Sequence, residues 1–93
     1  MRNRKQGGKP DGNQKEIVEA LRGQGAHVLI VSQIRNAFDV LVYHKGRTYT
    51  VEIKQPGKKL TEGEFKFRVD IENKGVKYHI IHSVEEALKM IEP

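Results

Sequence analysis

The sequence predicts one α/β domain in which helices pack against a mixed β-sheet, with the elements in the order αβββαβα. Apolar residues recur at helical spacing in three segments, and four shorter segments have the composition of strands. The first three strands are close enough in sequence to pair as antiparallel neighbours. A helix separates the third strand from the fourth and favours a right-handed parallel connection. A length of 93 residues suits a single small domain.

The composition narrows the possible functions. The chain has no Cys, which excludes disulfides and thiolate zinc sites and fits a reducing compartment. No apolar run approaches the roughly 20 residues of a membrane span, and the basic N-terminus lacks the apolar region of a signal peptide. We therefore expect a cytoplasmic protein. The net charge of +5 and the pI of about 9.6 favour a polyanionic partner.

Residues 1–12 are predicted to form a basic flexible tail, and residues 13–93 the folded domain. The tail contains Gly and Pro and few apolar residues, a composition typical of disorder. Its four basic residues outweigh one acidic residue by three charges. They are Arg2, Arg4, Lys5 and Lys9, against Asp11. Two interpretations stay open: an arm that contacts nucleic-acid phosphates, and a tail that only keeps the protein soluble.

Each element has its own signal. The first helix begins near Asn13 and ends at Gly23, with Ile17, Val18 and Leu21 on one face. The four predicted strands span residues 27–33, 37–43, 47–54 and 76–82.

The two remaining helices begin at capping boxes. Thr61 and Glu64 have capping-box spacing, and so do Ser83 and Glu86. In the second helix we assign Phe65 to the core. Phe67, two positions further on, faces another direction and is assigned to the surface or a dimer interface.

Asp39 and Glu52 face each other if the second and third strands form a hairpin around Lys45-Gly46. If the loop of this hairpin has two or four residues, the numbers of two residues that pair across it add up to 91. This register also brings three pairs of apolar residues together. These pairs are Val42 with Tyr49, Val40 with Val51 and Phe38 with Ile53. Opposed carboxylates destabilise a sheet unless a cation lies between them, and Mg²⁺ is commonly held by one or two carboxylates. A three-residue loop would shift this register by one residue.

An Asp, a gap of strand length and then Glu-X-Lys form the signature of the PD-(D/E)xK nuclease superfamily. This sequence resembles it in Asp39, Glu52 and Lys54. The VEIKQPGKKLT segment from residue 51 and the HSVEEAL segment from residue 82 are similar to virus-type replication-repair nuclease (VRR-NUC) domains. The similarity covers about residues 13–91. It implies a restriction-endonuclease-like fold, related to that of Holliday junction resolvases.

The resemblance also implies roles for individual residues. Asp39 and Glu52 would be ligands of Mg²⁺ or Mn²⁺, together with the main-chain carbonyl of Ile53. Lys54 would orient the attacking water or stabilise the charge that develops on the phosphate. The reaction would be hydrolysis of a phosphodiester bond.

Three further charged residues belong to the predicted site. The resemblance implies that Glu16 supplies a first-helix carboxylate, but Glu16 also has the spacing of a capping-box residue in a helix begun by Asn13. Lys58 and Lys59 follow the E-x-K strand. We expect them to contact phosphates, because scissile backbone should pass close to Glu52; the alternative is a solvated loop.

The sequence departs from the family at two positions. Phe38 stands where a Pro often precedes the metal-binding Asp, and Glu64 stands where many relatives have Gln. We assign no role to Glu64.

We therefore expect a metal-dependent endonuclease specific for Holliday junctions or other branched DNA, of phage or bacterial origin. A homodimer is expected, because symmetric cleavage of two strands needs two metal sites. The alternative is a non-catalytic nucleic-acid-binding module that retains the nuclease fold. The opposed carboxylates argue against it, because they would repel a phosphate backbone.

Overall fold

The computed structural model of the chain describes residues 12–93. The tail residues Arg2, Arg4, Lys5 and Lys9 lie outside this range. The elements follow the predicted order. They are α1 Gln14–Gly23, β1 His27–Ile30, β2 Val40–His44, β3 Arg47–Ile53, α2 Glu62–Asn73, β4 Tyr78–Ile81 and α3 Val84–Met90. Within the described residues, no helix combines the length and the apolar character that crossing a membrane requires.

The sheet has the strand order β1-β2-β3-β4. The β1–β2 and β2–β3 pairs are antiparallel, and β4 runs parallel to β3 across the connection that contains α2. The β2–β3 hairpin has a two-residue loop, because His44 pairs with Arg47. Lys45 and Gly46 in this loop both have positive φ, 49° and 79°, as a type I′ turn requires. The predicted register is confirmed, and Val40 pairs with Val51.

All four strands are shorter than predicted. In particular, β1 ends at Ile30 and β2 begins at Val40. Residues 31–39 form a loop between them. The predicted pairing of Phe38 with Ile53 is therefore wrong. The Phe38 ring instead stacks on Phe67 of α2, with 5.9 Å between the ring centroids.

The core lies between one face of the sheet and the helices α1 and α3. Its most deeply buried side chains come from α1 and from the two central strands, β2 and β3. They are Ile17, Leu21, Ile53, Val40, Val42 and Val51. These strand residues alternate with residues that face the opposite side, where α2 lies. Glu52 is on the side of α2, and this places it away from the apolar core.

The assignment of the two α2 phenylalanines is wrong. Phe65 is 54% exposed, whereas Phe67 is partly buried and packs edge-on against Tyr78 as well as stacking on Phe38. The reason is that α2 contacts the sheet beside β4 and buries no residue completely. Helical spacing shows that Phe65 and Phe67 point in different directions, but the docking angle of α2 decides which one meets the sheet.

The starts of α2 and α3 agree with the predicted capping signals, with one difference. At Thr61 both capping-box bonds form: the Glu64 N–H donates to Thr61 Oγ1 at 3.1 Å and the Thr61 N–H donates to Glu64 Oε1 at 2.9 Å. At Ser83 only the first bond of the box forms, at 3.1 Å. The Glu86 carboxylate accepts instead from the His82 main-chain N–H, at 2.7 Å.

Candidate active site

Glu52 is a buried carboxylate, only 3% exposed, in a strand whose other buried side chains are apolar. Burial raises the pKa of Glu52 to about 8, and the negative charges of Asp39 and Glu64 act in the same direction. The Asp39 side chain is hydrogen-bonded to Ile53, the residue after Glu52, so the two carboxylates predicted to oppose each other are neighbours. Lys54 acts in the other direction and lowers the pKa of Glu52.

The main chain of β3 positions the Asp39 carboxylate. Asp39 Oδ2 accepts a hydrogen bond from the Ile53 N–H at 2.8 Å. The Asp39 N–H donates to the Val51 carbonyl at 3.0 Å, so the backbone still follows β3 although the regular ladder ends at Val40. Asp39 is thus attached to β3 at the residues on either side of Glu52, which explains how the two carboxylates stay adjacent.

Lys54 lies between two carboxylates. Its Nζ atom is 3.5 Å from Glu52 Oε2 and 2.9 Å from Glu64 Oε1. Burial alone would raise the pKa of Glu64. The hydrogen bonds from the Thr61 N–H and from Lys54 outweigh burial and lower that pKa. Glu64 is therefore a charged partner of Lys54, a role that its capping-box spacing does not predict.

Tyr78 supports the loop that carries Asp39. Its hydroxyl donates to the carbonyl of Ala37 at 3.1 Å, two residues before Asp39 in the sequence. Burial, with the nearby negative charge of Glu52 as the next cause, raises the pKa of Tyr78, so this hydroxyl keeps its proton. No sequence signal indicates this role, because Tyr78 has the pattern of an ordinary apolar position of β4.

The start of α2 also contacts this loop. A Cβ at Gly63 would clash with the side chain of Asn36, which itself has a positive φ of 55°. Glycine at position 63 therefore permits the loop to approach the first turn of α2, where Glu64 lies.

The start of α1 lies against the same end of the sheet, where Asn13 contacts the main chain after β3 and β4. The Asn13 side chain makes no cap hydrogen bond and donates instead to the main-chain carbonyls of His82 and Lys54, at 2.9 and 3.3 Å. Asn13 thus occupies the N-cap position of α1, as predicted, but its side chain does not cap the helix. Glu16 is exposed, whereas Gln14 is buried on the sheet side of the helix. The catalytic role of Glu16 stays a prediction.

A cleft of about 550 Å³ lies beside Lys54, whose Nζ atom is 3.5 Å from Glu52 Oε2. Lys54 lines it, and so do the predicted phosphate-contacting residues Lys58 and Lys59. Arg68 and His82 add two further basic side chains to its wall. The structure thus brings both loop lysines to a cavity that Lys54 also lines.

The donor atoms at this site suit a hard divalent cation that would also be coordinated by the substrate of the protein. Within residues 12–93, no group of three or more His, Cys, Asp or Glu side chains is arranged to hold a metal ion. The predicted ligand set needs only two carboxylates and one main-chain carbonyl, and Mg²⁺ typically completes its shell with water and substrate phosphate. A divalent cation would also relieve the repulsion between Asp39 and Glu52. The residues present therefore fit the predicted ion.

One comparison identifies the fold. A solved structure described as a "VRR_NUC domain" is similar to this chain, with a TM-score of 0.67 and 23% sequence identity. The similarity covers 84% of this chain and 88% of the other. The protein therefore has the predicted restriction-endonuclease-like α/β fold, in the form found in VRR-NUC domains. No protein-family model matches the chain, and no curated protein matches it.

Proposed function

We propose that this protein is a metal-dependent DNA endonuclease that hydrolyses phosphodiester bonds. The observation that carries the proposal is the buried Glu52 beside Asp39, with Lys54 Nζ 3.5 Å from Glu52. A purely structural arrangement would gain stability by replacing one of these residues, because a buried carboxyl group beside a second carboxylate costs free energy when it ionises. A cation-dependent reaction gives both carboxylates a purpose.

Asp39, Glu52 and the main-chain carbonyl of Ile53 would hold Mg²⁺ or Mn²⁺. When bound, such an ion polarises a phosphoryl oxygen and lowers the pKa of a coordinated water. The chain contributes the placement of these groups. The Ile53 N–H holds one oxygen of Asp39, at 2.8 Å, and the hydrogen bond from Tyr78 holds the preceding loop. Preorganised groups of this kind need no rearrangement when the substrate arrives.

Lys54 supplies the positive charge next to the reacting phosphate. Its ammonium group lies 2.9 Å from Glu64 and 3.5 Å from Glu52, so its position is defined on two sides. From there it stabilises the negative charge that develops on the phosphate or orients the attacking water. Phosphoryl transfer depends mainly on such positioning and electrostatic stabilisation.

The substrate that we propose is DNA with a branched structure. Lys58 and Lys59 are exposed beside Lys54 and would contact phosphates, as would the basic tail residues. Phosphate contacts carry no sequence information, so shape is the more natural basis for specificity in a domain of this size. A homodimer would place one such site on each of two strands.

The test is a cleavage panel. Labelled four-way junction, flap, duplex and single-stranded DNA are each incubated with the protein and Mg²⁺, Mn²⁺ or EDTA. We expect cleavage of a branched substrate with either metal and none in EDTA. DNA binding without cleavage on every substrate would contradict the proposal and favour the non-catalytic binding module.

A further inference from the structure

We infer that the cleft beside Lys54 binds one unpaired nucleotide of the substrate, with its base stacked on Phe65. This inference rests on the proposed function and narrows its substrate class to DNA in which unpaired nucleotides adjoin the cleavage site.

The cleft has the two surfaces that a nucleotide needs. Leu60, Phe65 and Ile80 give it an apolar wall, and Lys58 and Lys59 give it a basic edge. Phe65 lies in the first turns of α2 and is 54% exposed, which leaves its ring accessible. An aromatic ring within a basic groove is the usual means of binding a base without reading its identity.

Arg68 adds a further cation to the cleft, one turn of α2 beyond Phe65. Its Nε atom lies 3.4 Å from Glu72, but this pair is exposed and contributes little to stability. Among residues 12–93, the cleft wall has one acidic residue, Glu62, which lies 3.5 Å from Lys66. The cleft therefore keeps an excess of positive charge, which suits the phosphate attached to a stacked base.

The position of the cleft selects an unpaired nucleotide over a duplex. Lys54 belongs both to the cleft and to the carboxylate site, so the occupant is a neighbour of the reacting phosphate. Within a duplex the faces of a base are covered by the adjacent bases, and exposing one costs the free energy of unstacking and unpairing. A nucleotide that is already unpaired offers its face to Phe65 without that cost.

The test measures binding in EDTA, so that it does not depend on catalysis. The ligands are a duplex with a three-nucleotide single-stranded extension and the matched blunt duplex. The proteins are wild type, Phe65→Ala, Phe65→Tyr and the control Val69→Ala, which alters another exposed α2 residue, 42% exposed, outside the cleft. Stacking of one base predicts that Phe65→Ala weakens binding to the extended duplex by roughly 5- to 150-fold. Binding to the blunt duplex should be unchanged, and Phe65→Tyr and Val69→Ala should behave like wild type.

An abasic scan identifies the stacked base. Each unpaired nucleotide is replaced in turn by an abasic residue. At one position, the abasic residue should weaken binding by wild type by the same factor as Phe65→Ala weakens binding to the intact extended duplex. Binding by the Phe65→Ala variant should not weaken further when that base is removed. The inference would be overturned if Phe65→Ala weakened binding to the extended and the blunt duplex equally. It would also be overturned if the effects of Phe65→Ala and of the abasic residue on the binding free energy were additive at every position. The proposed function is judged separately, by metal-dependent cleavage.

Discussion

The carboxylate of Asp39 is hydrogen-bonded to the main chain of Ile53, with 2.8 Å between Oδ2 and the nitrogen. Two residues proposed to share one ion are thus already connected in the protein alone. The bond continues the attachment of the loop to β3 beyond the last regular pair, Val40 with Val51. Asp39 and Glu52 stay adjacent although Asp39 lies outside the strand.

Tyr78 should stabilise this arrangement measurably. Tyr78→Phe removes the hydroxyl that donates to Ala37 and leaves a buried carbonyl without that partner. We expect the free energy of unfolding to fall by about 1–3 kcal/mol and cleavage to slow, because the loop before Asp39 loses a support. Urea denaturation checks the first effect. Tyr43→Phe, at a residue 42% exposed, is the matched control and should be neutral. Equal stability of the two variants would contradict the assigned role.

Glu64 should affect charge without being needed for the helix start. Gln also forms a capping box, so Glu64→Gln should retain the cap of α2, whereas Glu64→Ala should lose about 1 kcal/mol of stability. Removing the negative charge should lower the pKa of Glu52 and release Lys54 for phosphate. We therefore expect Glu64→Gln to bind DNA several-fold more tightly in EDTA, measured by fluorescence anisotropy. Weaker binding would show that Glu64 holds Lys54 in its productive position.

The stability of the metal-free protein should fall as the pH rises from about 6 to about 8. The pKa of Glu52 is about 8 in the folded protein and 4.5 ordinarily. In this window the unfolded chain has released the proton while the folded protein keeps it, so the folded state binds more protons and loses stability with increasing pH. The expected slope is up to about 1.4 kcal/mol per pH unit.

The control for this effect is Glu52→Gln. Wild type and variant are denatured at several pH values with EDTA present. The difference between their free energies of unfolding isolates the contribution of Glu52, because the lowered pKa values of His79 and Glu86 are common to both proteins. The difference in stability should shift in favour of Glu52→Gln as the pH rises. Parallel curves would mean that Glu52 ionises normally.

The basic tail should contribute affinity but no chemistry. A variant without residues 1–12 lacks four cations, and for each phosphate that is no longer neutralised the slope of log affinity against log salt should fall by about 0.9 on duplex DNA. We expect weaker binding and a shallower slope, and an unchanged cleavage rate at saturating protein. An unchanged slope would show that the tail does not contact phosphates.

The hairpin and the helix starts were predictable because their determinants are local. The Lys45-Gly46 turn, the register of the β2–β3 hairpin and the Thr61–Glu64 capping box each depend on a few residues close in sequence. This is why the sequence predicts that Asp39 and Glu52 are adjacent, even though the predicted second strand wrongly includes Phe38, which lies in the loop before β2.

The rest of the site depends on how distant elements dock. The exposure of Phe65, the Glu64–Lys54 pair and the hydrogen bond from Tyr78 to Ala37 all result from the position of α2 and β4 beside the loop at residues 31–39. No periodicity encodes that position. Asn13 likewise had a local capping signal, but two carbonyls at the end of the sheet compete for its side chain.

The most direct test of metal-dependent catalysis at Glu52 compares wild type with Glu52→Gln on one labelled branched DNA. Binding is measured in EDTA, and single-turnover cleavage is then started with Mg²⁺. A carboxylate that holds the metal contributes several kcal/mol to the transition state, so the variant should bind DNA as well as wild type and cleave it at least about 100-fold more slowly. Cleavage by Glu52→Gln at the wild-type rate, or cleavage by wild type in EDTA, would contradict the proposed role of Glu52 as a metal ligand.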